Sequence, residues 1–133
     1  MPVFVVVASE SKYKGDIMSS YKELIVWQKS IQLVTDIYKL TKTFPKEELY
    51  GLASQMQRAV VSIPSNIAEG NDRNSSKEFS QFLRIARGSL AELETQIIIS
   101  EKLEYTNEKQ ITPILNNCYE IGRMINGLLT KFN

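Results

Sequence analysis

Arg58, Ser62, Asn66 (beside Ser65) and Glu69 fall on one line of a helix-patterned stretch, RAVVSIPSNIAEG, opposite its apolar face at 100° per residue. A guanidinium, a hydroxyl, an amide and a carboxylate in a row supply donors and acceptors for a polar network. Two features suggest that these groups seek partners. Glu69 stands at the negative end of its helix, where a carboxylate is unfavourable. Pro64 lacks an N–H, which frees the Val60 carbonyl and predicts a break held in place by its surroundings. On one straight helix Arg58 and Glu69 would stand about 16 Å apart at 1.5 Å per residue, so their partners are expected on another helix or subunit. The plainer reading of such a line is a solvated face.

A second constellation is basic. Arg73, Lys77, Arg84 and Arg87 cluster beside Arg58 near one helix connection, with Glu69, Asp72 and Glu78 interspersed. They are the candidate phosphate contacts, and repetition around a ring would multiply a weak patch. Solubility and ion pairing explain the same residues equally well.

The residue inventory leaves little room for a reaction. Histidine is absent and Cys118 is the one cysteine, which excludes imidazole general-base chemistry, the common zinc sites, thiolate clusters and an intrachain disulfide. A ferritin-like metal site fails for the same lack of histidine. No Walker loop, GxGxxG, GxSxG, HExxH or CxxC occurs. Glu92 and Glu94 are two positions apart and point to different sides of a helix, unlike the paired acids of a hydrolase. Cys118 sits in a core register, where a thiol is inert. The expectation is a non-enzymatic protein with no catalytic residue, no metal and no cofactor. Sixteen basic against fifteen acidic residues leave a formal charge of +1, so any nucleic-acid surface must be local.

These residues must be positioned by helices. With 133 residues, 43% of them apolar, the chain suits one globular domain. Residues 1–20 are set apart as an N-terminal extension and residues 21–133 as the bundle domain. Because Met18 opens a much more regular segment, residues 1–17 read either as an extension from an alternative start or from cloning, or as an arm packing Phe4 and Val5 on the body or on a neighbour. The apolar run Val3 to Ala8 is too short for a membrane span or secretory core, so a cytoplasmic protein is expected.

Helix 1 is predicted from Tyr21 to about Thr43, capped by Ser19 or Ser20, with Leu24, Trp27, Ile31, Val34, Tyr38 and Thr41 inward. Helix 2 is predicted from about Pro45 to Glu69, with Leu49, Leu52, Met56, Val60, Ile63 and Ile67 inward and Gly70 as the residue just past its end. Helix 3 begins near Ser75 or Ser76, where Ser75 and Glu78 have capping-box spacing, and carries Phe79, Phe82, Ala86, Leu90, Leu93, Ile97, Ser100 and Leu103. After a turn at residues 105–107, helix 4 has the cleanest heptad: Ile111, Ile114, Cys118, Ile121, Ile125, Leu128 and Phe132. Long helices with short connections predict an all-α, antiparallel up-down-up-down four-helix bundle.

Helix 3 also carries an outward line. Gly88 costs about 1 kcal/mol in a helix interior relative to alanine, which is understandable if another backbone comes close. Ile97, Ile98 and Ile99 cannot all face one core. Gly88, Ala91, Thr95, Ile98 and Ile99 are therefore the candidate subunit contact, set against the ordinary reading of singly exposed isoleucines.

LIVWQKS, FPKEELYGLASQMQRAVVSIPSNIAEG, FLRIARGSLAELETQI and the turn LEY resemble the four-helix-bundle proteins encoded in intervening sequences of bacterial 23S ribosomal RNA genes, over about residues 21–130. The chain departs from many such proteins at Gln57, where they have Arg or Lys. The resemblance implies a homopentamer with a central channel and no enzymatic activity. It extends distantly to accessory proteins of diversity-generating retroelements, which partner a reverse transcriptase. Carried onto this chain, it implies that Arg58, Ser62, Asn66 and Glu69 hold the signature segment together and that Lys77, Arg84 and Arg87 contact ligand. The function expected is binding of structured RNA or a ribonucleoprotein by a self-assembling bundle. The alternatives are a protein-interaction scaffold without nucleic acid, and an accessory subunit of a reverse transcriptase.

Overall fold

The computed structural model describes residues 20–132. The proposed extension, with Phe4 and Val5, lies outside the described residues apart from Ser20. Ser20 caps a single 3-10 turn, Tyr21–Glu23, its Oγ accepting the Lys22 N–H at 3.1 Å. Helix α1 then spans Ile25–Thr41, α2 Leu52–Asn71, α3 Ser76–Lys102 and α4 Glu108–Phe132. Each helix packs on its two neighbours around a square, α1 on α2 and α4, and α3 on α2 and α4.

Directions follow from cross-helix contacts. Ser62 meets Ser89 while Gly70 lies at Phe82, so α2 and α3 run in opposite senses. Phe79 meets Phe132 and Arg87 meets Asn126, so α3 and α4 do likewise. Lys29 pairs with Glu120, while Leu40 shares a cleft with Pro113 and Ile114, which makes α1 and α4 antiparallel. By elimination α1 and α2 are antiparallel too. The all-α, up-down-up-down bundle expected from the sequence is the fold.

The inward face of α1 is the expected one only in part: Leu24 and Thr41 are buried as expected, but the stripe between them is shifted. Leu24, Val26, Ser30, Leu33, Ile37, Leu40 and Thr41 are buried, whereas Ile31 and Tyr38 are 40% and 43% exposed and Trp27 and Val34 are half-buried. The observed stripe keeps 3-4 spacing only by taking in Ser30. That burial costs little, because the Ser30 Oγ donates to the Trp27 carbonyl of its own helix at 2.8 Å.

Helix α2 starts at Leu52, not Pro45. Residues Lys46–Glu48 form one 3-10 turn, after which the Glu48 carboxylate accepts the Leu52 N–H at 2.9 Å and so caps the true helix. Leu49 is consequently exposed. The helix continues past Pro64, which is buried, so the proline does not end it. Nor does Gly70 end it. Gly70 lies within the last turn, where a Cβ would stand 2.6 Å from the Phe82 Cβ and 3.0 Å from the Phe79 ring. Glycine lets α2 and α3 cross closely there. The left-handed residue is Asn74 (φ 59°), followed by Ser75, whose Oγ accepts the Glu78 N–H at 3.2 Å.

Leu103, expected in the core, is 51% exposed beside Glu104 (φ 64°) in the α3–α4 turn. The heptad of α4 is inward as expected: Ile111, Ile114, Cys118, Ile121, Ile125 and Leu128 are buried, and Phe132 packs half-buried 5.3 Å from the Phe79 ring.

Candidate functional site

The four polar positions of α2 divide into two kinds. Ser62 and Asn66 form a network: the Ser62 hydroxyl shares a hydrogen bond with Ser89 of α3 at 2.9 Å, and the Asn66 amide donates to both the Ser62 carbonyl (2.8 Å) and the Ser62 Oγ (2.9 Å). The amide thus supplies an extra donor to a carbonyl within the proline-bearing turn. Arg58 and Glu69 take partners in their own segment instead. Arg58 donates to Ser54 one turn earlier at 2.7 Å, and Glu69 pairs with Arg73 one turn later at 3.0 Å. The Arg73 pair answers the adverse dipole at Glu69. A polar groove of about 330 Å³ opens over this seam, lined in part by Arg58, Ser62, Ser89 and Glu92.

The basic stripe is uneven. Arg73 is engaged three times, with Glu69 (3.0 Å), with Glu78 (3.4 Å) and over the Phe82 ring (4.9 Å). Each surface pair contributes only about 0–1 kcal/mol, yet together they fix the guanidinium against the α2–α3 turn. Arg87 donates to Asn126 of α4 at 2.9 Å. Lys77 and Arg84 are exposed on α3.

Further along the same face, Gly88, Ala91, Thr95, Ile98 and Ile99 all lie exposed, with Ile98 and Ile99 at 42% and 41%. Among the described residues a Cβ at Gly88 would meet nothing within 4 Å, so no other element approaches it there. The Thr95 hydroxyl turns back to the Ala91 carbonyl at 2.9 Å.

A polar clamp at one end of the bundle escaped the sequence reading. One Glu48 oxygen caps α2 and the other accepts the Tyr105 hydroxyl at 2.7 Å, while the Tyr105 ring lies 5.4 Å from Phe44. The Leu52 N–H first, then the Tyr105 hydroxyl, hold the Glu48 carboxyl below its ordinary value, and the bond to Glu48 pushes the Tyr105 phenol up. The signal was present, since KEELYG and LEY both belong to the recognisable segments. Gln57 does related work, donating to Thr41 of α1 at 3.1 Å.

Cys118 is buried, and burial, reinforced by the charge of Glu94, pushes its thiol up to about 12. Glu94 itself is raised by partial burial. No group of histidine, cysteine, aspartate and glutamate that could hold a metal occurs among the described residues. Nor is any described helix long and apolar enough to cross a membrane.

Fold and surface together define a four-helix bundle whose distinctive polar groups serve helix seams and whose outer α3 face is divided between charge and small or apolar residues. The family model of the 23S rRNA-intervening sequence protein matches residues 22–127, all four helices but for the final turn of α4, and the chain belongs to that family. No curated protein matches the chain.

Proposed function

We propose that this protein is a non-catalytic bundle that assembles with copies of itself, as a homopentamer, and associates with structured RNA or a ribonucleoprotein through a basic surface repeated around the ring. The observation that carries this reading is the outward face of α3, where an exposed Lys77 and Arg84 give way to an exposed line of Gly88, Ala91, Thr95, Ile98 and Ile99. Among the described residues nothing packs on Gly88, and its helix-propensity cost of about 1 kcal/mol is explained by the backbone of a second copy. One molecule offers only a mildly positive patch, since Arg73 is engaged by two carboxylates. Repetition around a ring makes it multivalent.

The test is RNA affinity across a salt series, for the wild type and for Arg84→Glu with Arg87→Glu. Affinity falling steeply with salt and lost in the variant supports the reading. Salt-insensitive binding, or an unaffected variant, leaves a protein-interaction scaffold as the better account.

A further inference from the structure

The outward stripe of α1 lies at the α1–α2 seam, with Ala53 and Gln57 of α2 beside it. Because Val34 and Tyr38 are not core, they form one wall of a groove of about 740 Å³, whose other wall is Phe44, Pro45 and Leu49 at the entry to α2. That volume lies within the range of about 300–1,000 Å³ that small ligands occupy. Tyr38 is 43% and Leu49 57% exposed, and Tyr50 beside it is 91% exposed.

Lys39, Lys42 and Lys46 also line the groove, and no carboxylate does. Asp36, one turn before Lys39, accepts from Gln32 at 3.1 Å, and both Glu48 oxygens are taken by Leu52 and Tyr105. Glu47, exposed beside Lys46, and Asp36, which shares a cleft with Lys39, temper the rim.

We infer that this groove is a binding site for single-stranded nucleic acid, with Tyr38 as a stacking platform for a base and Lys39, Lys42 and Lys46 as phosphate contacts. Aromatic faces beside a cationic track bind single strands with little regard to sequence, since every base has a π-face. A duplex hides those faces, so it is excluded from the stacking contact. The site is separate from the α3 stripe and does not depend on it.

Binding of dye-labelled oligonucleotides of about ten nucleotides to the full chain tests the inference, with single-stranded RNA, single-stranded DNA and a duplex as separate arms. Single strands should bind more tightly than duplex, and the RNA and DNA arms identify which of the two the groove prefers. Three phosphate contacts should give a slope of log affinity against log salt of about −2, at about −0.7 per contact on a single strand. Tyr38→Ala should weaken binding about 5- to 160-fold. Lys42→Gln with Lys46→Gln should flatten the slope by about 1.4, and both lysines are surface residues whose replacement leaves the core intact.

Preference for duplex, or wild-type affinity in both groove variants, would overturn the inference. If binding is instead lost only with Arg84→Glu and Arg87→Glu, the α3 surface stands and the groove assignment falls. A change of particle mass in the lysine variant without a change in affinity assigns the groove to a second copy and likewise overturns it.

Discussion

The same substitution at two glycines should have opposite signs. Glycine to alanine in a helix interior gains about 1 kcal/mol from propensity alone. At Gly70 the new methyl would stand 2.6 Å from the Phe82 Cβ, 3.0 Å from the Phe79 Cδ1 and 3.3 Å from the Phe82 Cγ. The nearest of these atoms is attached directly to the α3 backbone and cannot yield by rotating a side chain, so the two helices must separate. Overpacking of this kind costs about 1–3 kcal/mol, and a backbone-linked clash belongs at the upper end. Gly70→Ala should therefore lose about 2 kcal/mol net. Gly88→Ala meets nothing within 4 Å and should gain about 1 kcal/mol within a single chain. Urea unfolding followed by circular dichroism measures both, at a protein concentration low enough that single chains are compared, because a second copy packed on Gly88 would meet the new methyl and reverse its sign. A Gly70→Ala protein as stable as wild type, with an unchanged slope against urea, would refute the close-crossing account of α2 and α3.

Glu48→Gln should destabilise the bundle most near neutral pH. The folded-state carboxyl of Glu48 titrates below its ordinary 4.5, so its contribution is present above that value and is lost as pH falls through the lowered one. Wild-type and variant melting temperatures should accordingly converge in acid; a gap that stays constant with pH would contradict this. Tyr105 carries the opposite sign. Its phenol is raised above 10.0, so its contribution holds below that value and disappears as pH rises through the higher folded one, which alkaline melts of Tyr105→Phe against wild type measure. Cys118, buried and pushed up to about 12, should react with a thiol reagent only as fast as the protein unfolds. A rapid stoichiometric reaction in native buffer would show that α4 does not bury it.

Helix α4 was legible because its buried positions are almost all aliphatic at heptad spacing, and nothing on its other faces competes. Helix α1 was not, since it carries two apolar stripes. Trp27, Ile31, Val34 and Tyr38 are the bulkier line, but Val26, Leu33, Ile37 and Leu40 go inward once Ser30 bonds its own helix. Periodicity alone does not choose between two such stripes; packing does. At Pro45 and Gly70 local rules pointed to a helix start and a helix end, and tertiary contacts overrode both. Glu48 moves the start to Leu52 by capping it, and the phenylalanines of α3 use Gly70 for close approach. Of the candidate network, the Ser62–Asn66 part depends on Ser89, a partner 27 residues away that spacing within α2 could not reveal. Arg58 and Glu69 were expected to reach across helices, but each has a partner one turn away, Ser54 and Arg73.

Light scattering across a concentration series, on the wild type and Ile98→Lys, bears most directly on self-assembly. The account predicts a wild-type mass near five times the 15.2 kDa chain, and a variant whose mass falls toward one chain while its helical content is retained. A wild type that remains at the mass of one chain at every concentration, or a variant whose mass does not change, would contradict it.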